Sequence, residues 1–339
     1  MRVAWYLSDL HACGTVRADV PARAIGQYFP GVSMALKREI MVSDYTLFDA
    51  MIFQRGCDAN ALGHMRTAKA QGIKVLYDLD DDLFNVPACV PDAHAAFSQE
   101  HVKDAIKAML AEAHVVTVSC PAMVQVVEPH TKAPVLIVEN CVDVGHADLA
   151  PMQPPREHPV MGWHGSMCHI ADANLVSGPI KEVLDAHPGV KFQTFGNFVP
   201  EHFPELVGFN GRFACFPWTT PQGLYTALRG VDIGLCPQEP TRFNQVKSQS
   251  KWMEYAVLGI PTVVSPTRPY EMLKDGEDCL VAAGNAKGEW IRCLNALAGD
   301  KELRERIGHN ARLRVLREYD NKIVAGHWVK ALEFAMKET

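Results

Sequence analysis

The chain has 339 residues, of which 48% are hydrophobic and 21% are charged, and its net charge is -6 with histidine neutral. This length predicts about two domains, and the apolar fraction excludes an intrinsically disordered chain. No run of residues is apolar over the ~20 positions that a membrane-spanning helix requires, and the N-terminus turns polar too early for a signal peptide. We therefore expect a cytoplasmic protein without an integral membrane segment. The negative charge argues mildly against a dedicated nucleic-acid-binding protein.

Ten cysteines are spread singly along the chain, and no CxxC pair occurs. This spacing excludes a zinc ribbon and a thioredoxin-type motif. Because free cysteine is among the most buried residue types, we expect reduced thiols in the core.

Short β-rich runs alternate with helical runs along the chain. The predicted strands are Val3–Leu7, Ala50–Gln54, Lys74–Tyr77, Val115–Ser119, Val135–Glu139, Val160–Trp163, Lys191–Phe195, Arg212–Phe216, Asp232–Cys236, Thr262–Ser265 and Cys279–Ala282. The predicted helices include Glu100–Ala113, Leu175–Ala186 and Lys247–Leu258, and the region after about Asn285 is almost wholly helical, ending with Asn321–Lys337. The apolar character of the strands indicates burial on both faces. The alternation predicts an α/β protein with two Rossmann-like, doubly wound parallel sheets.

A proline-rich stretch divides the chain between Ala150 and Pro159. It is a poor helix or strand and predicts a semi-rigid linker, residues 151–159, between a first domain over 1–150 and a second over 160–312. Two such units create a cleft, and open α/β sheets bind ligands beyond the carboxyl ends of their strands. No GxGxxG or GxxxxGK[ST] motif follows a strand, so a standard dinucleotide dehydrogenase or P-loop NTPase is excluded.

The most informative segment is the predicted helix that begins at Lys247 and ends before Gly259. Helical spacing would place Lys247, Lys251 and Glu254 on one face. Lysines in a first helical turn oppose the helix dipole, and a bound anion would offset that cost. A phosphate site is therefore one hypothesis, and a solvated charged face is the other.

Residues 251–264, KWMEYAVLGIPTVV, resemble the K-x-x-E-Y-x-A-x-G-x-P-V-V pattern of GT-B glycosyltransferases, particularly the family-four (group 1) type of bacteria and phages. The resemblance implies two Rossmann-like domains that face a cleft. The first would bind the acceptor and the second the nucleotide sugar, and a C-terminal helix within 313–339 would cross back to the first. It also implies that Glu254 binds the ribose hydroxyls of the donor. Lys247, Ser248 and Lys251 would face the donor diphosphate.

One departure from this family concerns its common Glu-x7-Glu pattern. The residue eight positions before Glu254 is Val246, so the first glutamate, usually a contact of the donor sugar, is missing. Asn244 or Gln245 could substitute for it. The donor sugar and the retaining or inverting outcome stay open.

A second motif, GWHGSMCHIAD over residues 162–172, follows the predicted linker. It predicts a strand, a turn of small residues and a helix, and Gly165 and Ser166 allow backbone N–H groups to approach an anion. The motif resembles the G-W-x-G-S-x-x-H-x-x-D loop of related GT-B enzymes. This implies that His164, Gly165 and Ser166 contact the donor. A tight turn without a ligand is the alternative.

Carboxylates cluster in YDLDDDLF, residues 77–84, at the end of a predicted strand. Their repulsion raises at least one pKa, which suits a general base or a bound cation. The segment is similar to the Y-D-x-D-D-D-L segment of some GT-B enzymes. Asp80, Asp81 and Asp82 are thus candidates for activating or positioning the acceptor, and Lys247 for stabilising the leaving diphosphate.

Two alternatives apply to this acidic segment. It contains the Asp-x-Asp motif by which GT-A glycosyltransferases hold a metal and a diphosphate, and it could also be a solvated, helix-capping turn. The GT-B resemblance implies neither a metal nor a cofactor other than the nucleotide sugar, which is a co-substrate.

Gly14, Arg17 and Arg55 are further candidates at the ends of predicted strands. The loop after the first strand resembles the G-x-x-R-x-x-x-P-A entry of related enzymes, which implies that Arg17 faces the cleft. Each of the three could bind the diphosphate or the acceptor. A surface or domain-bridging arginine is the alternative.

The resemblance implies a hexosyltransferase that moves a sugar from a nucleoside diphosphate sugar, expected to be a UDP-sugar, to a hydroxyl of a glycan or a lipid-linked saccharide. Three alternatives stay open. They are a phage enzyme that glycosylates hydroxymethylated bases in DNA, a sugar-nucleotide epimerase, and a non-catalytic nucleotide-binding module. The sequence does not specify the acceptor or the oligomeric state.

Overall fold

A computed structural model describes residues 1–7, 12–147, 154 and 156–338 of the chain. Most of the predicted linker and the loop residues 8–11 lie outside the described residues. The chain forms two compact units. Unit 1 comprises Met1–Cys141, Gln245–Ser248 and Tyr319–Thr339, and unit 2 comprises Val142–Asn244 and Gln249–Glu318. These boundaries differ by several residues from the predicted ones at 150 and 313, and the predicted scheme did not include the short segment of unit 1 at 245–248.

Unit 1 contains a parallel six-stranded sheet in the order β2-β1-β3-β4-β5-β6. Its strands are β1 (Arg2–Leu7), β2 (Ser33–Lys37), β3 (Ala50–Gln54), β4 (Lys74–Leu79), β5 (Val115–Val118) and β6 (Val135–Ile137). Unit 2 contains a second parallel sheet in the order β12-β11-β10-β7-β8-β9. Its strands are β7 (Val160–His164), β8 (Lys191–Phe195), β9 (Phe213–Phe216), β10 (Ile233–Cys236), β11 (Thr262–Val264) and β12 (Leu280–Val281). These two sheets confirm the predicted fold class.

Helices surround both sheets. In chain order they are α1 (Ala12–Gly14), α2 (Val20–Tyr28), α3 (Asp44–Leu47), α4 (Ala59–Ala70), α5 (Pro91–Phe97), α6 (Glu100–Glu112), α7 (Pro121–Val127), α8 (Val144–Ala147), α9 (Ile170–Ala186), α10 (Pro221–Leu228), α11 (Arg242–Gln245), α12 (Ser250–Ala256), α13 (Lys287–Gly299), α14 (Lys301–Glu318) and α15 (Asn321–Lys337). A π-helical turn, Thr15–Asp19, joins α1 to α2, and a 3-10 turn, Met167–His169, precedes α9.

The edge strand β2 is the one strand of unit 1 that sequence analysis missed. Its sequence, SMALK, has an apolar run of only three residues, and its residues are exposed or half-buried. The central strand β3, in contrast, is buried at all its positions. Hydrophobic pattern alone therefore identifies the central strands more readily than an edge strand.

The C-terminal helix α15 belongs to unit 1 and packs on the N-terminal strands. Its Trp328 is fully buried, and its ring meets that of Trp5 edge-on with centroids 4.5 Å apart. The guanidinium of Arg17 lies 5.1 Å from the centre of the Trp328 ring. The N-terminus of α15 is capped by Asp320, which accepts a hydrogen bond from the backbone of Lys322.

The strand order locates the ligand-binding edge of each sheet. The order reverses between β1 and β3 in unit 1 and between β7 and β10 in unit 2. Open α/β sheets bind ligands beyond the carboxyl ends of the strands at such a switch point. Arg55, which follows β3, and His164, which ends β7, lie at these two switch points.

Within the residues that the structure describes, no helix is long and apolar enough to cross a bilayer. No disulfide joins the nine cysteines whose side chains are described, and five of these thiols are buried.

Candidate functional site

In unit 2 the carboxyl end of β7 enters a turn in which two backbone segments approach closely. Gly165 donates its backbone N–H to the carbonyl of Phe195 at 3.1 Å. Gly196 follows β8 with φ of +151°, and a Cβ at this residue would collide with the Gly165 carbonyl. A Cβ on Gly165 itself would lie 3.5 Å from Nζ of Lys251. Glycine is therefore needed at position 196, and the Gly165 backbone lies next to a cation.

Helix α12 contributes Lys251 and Glu254 to this turn. Lys251 donates a hydrogen bond from Nζ to the His164 carbonyl, and its ammonium lies 5.6 Å from the centre of the Trp163 ring. The helix is fixed from its other side by Tyr255, which donates to the carbonyl of Gly162 at 2.8 Å. The side of this helix that carries Trp252, Tyr255 and Ala256 is thus buried, and its polar side meets the end of β7.

Glu254 and His164 have unusual electrostatics. Glu254 Oε2 lies 3.3 Å from His164 Nε2. Burial raises the pKa of Glu254 to about 7, although the Lys251 charge opposes this. Burial, followed by the charges of Lys251 and His169, lowers the pKa of His164 well below its usual value. His164 is therefore neutral at pH 7, and its Nε2 makes no hydrogen bond within the described part of the chain.

The predicted helix start at Lys247 is wrong. Helix α12 begins at Ser250, so Lys247 and Ser248 precede it and do not share its polar face. Tertiary contacts override the helical pattern, because Cys120 donates from Sγ to the Val246 carbonyl at 3.1 Å and Asn140 donates from Nδ2 to Ser248 Oγ at 2.8 Å. The predicted stop at Gly259 agrees with its φ of +74°.

Within unit 1, Lys247 lies among the carboxylates that follow β4. Its Nζ is 3.0 Å from Asp81 Oδ1. Arg55 Nη1 lies 3.7 Å from Asp80 Oδ1 and also 3.7 Å from Asp81 Oδ2. Burial raises the pKa of Asp80, and the charge of Arg55 opposes it. Asp80, Asp81, Arg55 and Lys247 thus form one cluster of two acids and two cations, which we call the acid–base cluster.

Asp82 and Asp78 have structural contacts. Asp82 is fully buried and accepts hydrogen bonds from the backbone of Phe84 at 3.1 Å and from the Asn85 side chain at 2.8 Å. Asp78 lies inside β4, which extends two residues beyond the predicted end, and it accepts from Thr117 Oγ1 at 2.7 Å. The Asp-x-Asp motif is therefore split between a strand interior and the acid–base cluster.

The expectation that Arg17 faces a ligand is wrong. Only 1% of this residue is exposed, and its guanidinium forms a bidentate pair with Asp78 at 2.6 and 3.2 Å. It also donates to the Val138 carbonyl and to Asn140 Oδ1. These bonds satisfy the charge inside the core, so Arg17 is a buried structural residue and not the surface arginine of the alternative. Gly14, at the end of α1, is also buried.

The acid–base cluster is also where a metal could be considered. Cys13 Sγ and one carboxylate oxygen each of Asp80 and Asp81 lie within 4.8 Å of one another. Burial raises the pKa of the Cys13 thiol well above its usual value, whereas a metal binds the thiolate. Arg55 and Lys247 already supply positive charge to both carboxylates. This donor set fits a cation poorly, and independence from metals stays a prediction.

Sequence analysis quoted His169 and Asp172 without assigning them a role, and the structure pairs them. His169 Nδ1 is 2.7 Å from Asp172 Oδ2. Asn244, a proposed substitute for the missing glutamate, instead donates to Asp172 Oδ1 at 3.0 Å and to the Glu239 carbonyl at 3.0 Å. The sequence did show a histidine three residues before an aspartate, but this spacing alone does not predict a hydrogen bond between the two side chains.

Comparison with known proteins agrees with this architecture. Residues 179–330 match the model of a family described as "Glycosyl transferase-like". No protein among the curated sequences matches the chain.

Several solved structures share the fold along the whole chain. HepE of Anabaena, solved in complex with UDP and glucose, is 12% identical over 98% of this chain and 100% of its own, with a TM-score of 0.71. A glycosyltransferase from Rickettsia africae is 11% identical over 100% and 99%, with a TM-score of 0.73. Sucrose-phosphate synthase of Thermosynechococcus elongatus is 12% identical over 99% and 100%, with a TM-score of 0.70.

The two doubly wound sheets give the chain the GT-B fold of these structures, and its residues 179–330 are similar to a glycosyltransferase family. The motif around Glu254 is similar to that of the group 1 type. The resemblance inferred from the sequence is thereby confirmed.

Proposed function

We propose that the protein transfers a sugar from a nucleoside diphosphate sugar, with UDP as the expected nucleotide, to a hydroxyl group of a glycan or a lipid-linked saccharide. The choice of uridine is supported by HepE, which has been solved with UDP-glucose and shares the fold. The choice of a saccharide acceptor rests on the sequence resemblance.

The observation that carries this proposal is the group formed by Glu254, Lys251 and the Gly165 turn at the switch point of the second sheet. A carboxylate can accept hydrogen bonds from two neighbouring ribose hydroxyls. Lys251 and the backbone amides after β7 are suited to a phosphate group. Glu254 and Lys251 are three residues apart on α12, so they can address adjacent parts of one nucleotide.

The acid–base cluster of unit 1 supports a role in handling the acceptor. Asp80 has a raised pKa and an Oδ1 atom that makes no hydrogen bond within the described residues. A carboxyl group with a raised pKa suits proton transfer or the orientation of a hydroxyl group. We propose Asp80 and Asp81 as the groups that position the acceptor hydroxyl, and Arg55 as a cation that holds them.

Lys247 is proposed as a cation for the leaving diphosphate. Its ammonium is engaged by Asp81 at 3.0 Å, so a diphosphate would compete with that carboxylate for it. Such a cation stabilises the negative charge that develops on the leaving group.

The decisive experiment measures three products from a panel of nucleoside diphosphate sugars, with and without glycan acceptors. These products are free nucleoside diphosphate, epimerised sugar nucleotide and glycosylated acceptor. The proposal expects acceptor-dependent release of nucleoside diphosphate, which Lys251→Ala abolishes. Lys274→Ala is the matched control, because Lys274 is an exposed lysine of the same unit that pairs with Glu277.

Each alternative has its own outcome in this experiment. Conversion of the sugar nucleotide without release of nucleotide would indicate an epimerase. Binding without turnover under all conditions would indicate a nucleotide-binding module. Transfer only to DNA that contains hydroxymethylated bases would move the acceptor class from saccharides to nucleic acid.

A further inference from the structure

His169 and Asp172 form a pair beside the Gly165 turn. The pair combines a half-buried imidazole with a carboxylate that is only 4% exposed. His169 Nδ1 lies 2.7 Å from Asp172 Oδ2. Among the described residues, His169 Nε2 makes no hydrogen bond.

Asp172 is held rigidly by further bonds. Its Oδ1 accepts from the backbone N–H of Glu239 at 2.7 Å and from the side chain of Asn244 at 3.0 Å. A carboxylate fixed in this way keeps a proton of the imidazole on Nδ1, so that Nε2 is the ring atom left for a ligand. When Nε2 also carries a proton, its N–H is a charged hydrogen-bond donor.

The pair lies next to other groups that could bind an anion. His169 ends the 3-10 turn after Ser166 and precedes α9, a helix of 17 residues whose N-terminus has no side-chain cap. The charge of His169 lowers the pKa of His164, so the two rings are electrostatic neighbours. The buried Nε2 of His164 makes no hydrogen bond within the described residues and is a second polar atom that a ligand could satisfy.

We propose that His169, held by Asp172, is a phosphate ligand that binds the diphosphate of the nucleotide through protonated Nε2. This inference rests on the proposed function for the identity of the diphosphate. Asp172 is a positioning residue, because it acts through the imidazole. The other ionisable groups around the pair are His164 on β7, Lys251 on α12, Glu239, whose backbone bonds Asp172, and Tyr270, whose pKa the charge of Asp172 raises.

Two variants separate phosphate binding from a structural role. His169→Asn keeps an amide N–H near the Nδ1 position, so it can still bond Asp172, but it removes Nε2. His169→Gln places an amide N–H near the Nε2 position and loses the bond to Asp172. The probe is inorganic pyrophosphate, which lacks the ribose that Glu254 is proposed to bind, with UDP as a second ligand and uridine as a control.

Calorimetry should show that His169→Asn binds pyrophosphate and UDP about 10- to 100-fold more weakly than the wild type, as expected for loss of a charge-assisted bond. Uridine binding should be unchanged. His169→Gln should recover part of the pyrophosphate affinity. His187→Asn, at the other end of α9, is the matched control.

The proposal is overturned if His169→Asn binds pyrophosphate as tightly as the wild type, or if His169→Gln is the weaker binder of the two. Thermal unfolding of both variants checks that they are folded. A variant with reduced stability is assayed at 10 °C, and the affinity of the wild type for pyrophosphate is measured at the same temperature. If no sugar nucleotide releases its diphosphate in the transfer assay, the proposed function fails. The pyrophosphate result still decides the role of His169.

Discussion

Replacing Glu254 by glutamine is expected to stabilise the protein above pH 7 while weakening its binding to nucleotide. Burial raises the pKa of Glu254 to about 7 from a usual value of 4.5. Between these two pH values the folded protein keeps a proton on Glu254 that the unfolded chain has lost. Stability of the wild type therefore falls as pH rises through this window, and the full cost is reached above about pH 7.

The size of this effect follows from the difference between the two pKa values. About 2.5 pH units correspond to about 3 kcal/mol at 1.36 kcal/mol per unit. This is an upper bound, because 24% of the Glu254 side chain is exposed to solvent. Glutamine is similar in shape to the protonated acid and has no charge to desolvate. The variant should therefore differ little from the wild type at pH 5 and exceed it clearly at pH 8.

The assay is urea denaturation of the wild type and of Glu254→Gln at pH 5 and pH 8, with nucleotide binding measured in parallel. Binding of UDP to the variant at pH 8 should be weaker by tenfold or more, because the ribose hydroxyls lose a charged acceptor. The electrostatic reasoning would be refuted by a stability difference between the two proteins that does not change between pH 5 and pH 8.

Further predictions concern the catalytic cation, metals and the core of unit 1. Lys247→Ala should weaken UDP binding tenfold or more by calorimetry, and unchanged binding would remove it from the site. Activity should survive EDTA, whereas rescue by manganese or magnesium would assign a metal to the acid–base cluster. Arg17→Met should lower the free energy of unfolding, measured in urea, by about 3–5 kcal/mol because it leaves buried Asp78 unpaired. Arg23→Ala removes an exposed ion pair and should lower the free energy of unfolding by less than about 1 kcal/mol. Trp328→Ala should cost about 3–5 kcal/mol of unit 1 stability by the same measurement.

The fold could be predicted from the sequence because buried parallel strands appear as continuous apolar runs. The strand order was not predictable in this way, since hydrogen-bonded neighbours such as β7 and β10 are about 70 residues apart in the chain. Their pairing is a tertiary property. The sequence did place His164 and Gly165 at a strand end, and the structure puts that end at a switch point.

The sequence predicted the candidate site only where residues that act together lie on the same helix or strand. Lys251 and Glu254 lie on one helix, and helical spacing was enough to group them. Arg17 shows the opposite case, because its partner Asp78 is 61 residues away. An arginine near a strand end has the same local sequence whether it binds a ligand or a buried carboxylate.

The segment before α12 explains how this chain departs from the glutamate pattern of its relatives. At the position of the missing glutamate, the Val246 side chain is buried in the hydrophobic core of unit 1, and its carbonyl accepts the Cys120 thiol. Asn244 is also unavailable as a donor-sugar contact, because its amide nitrogen bonds Asp172 and the Glu239 carbonyl. Val246 and Asn244 thus have structural contacts, and Gln245 stays the candidate substitute in this segment. His169 and His164, whose Nε2 atoms make no hydrogen bond within the described residues, lie next to the turn where the diphosphate is proposed to bind. Recognition of the donor would then depend more on the loop after β7 than on the start of α12.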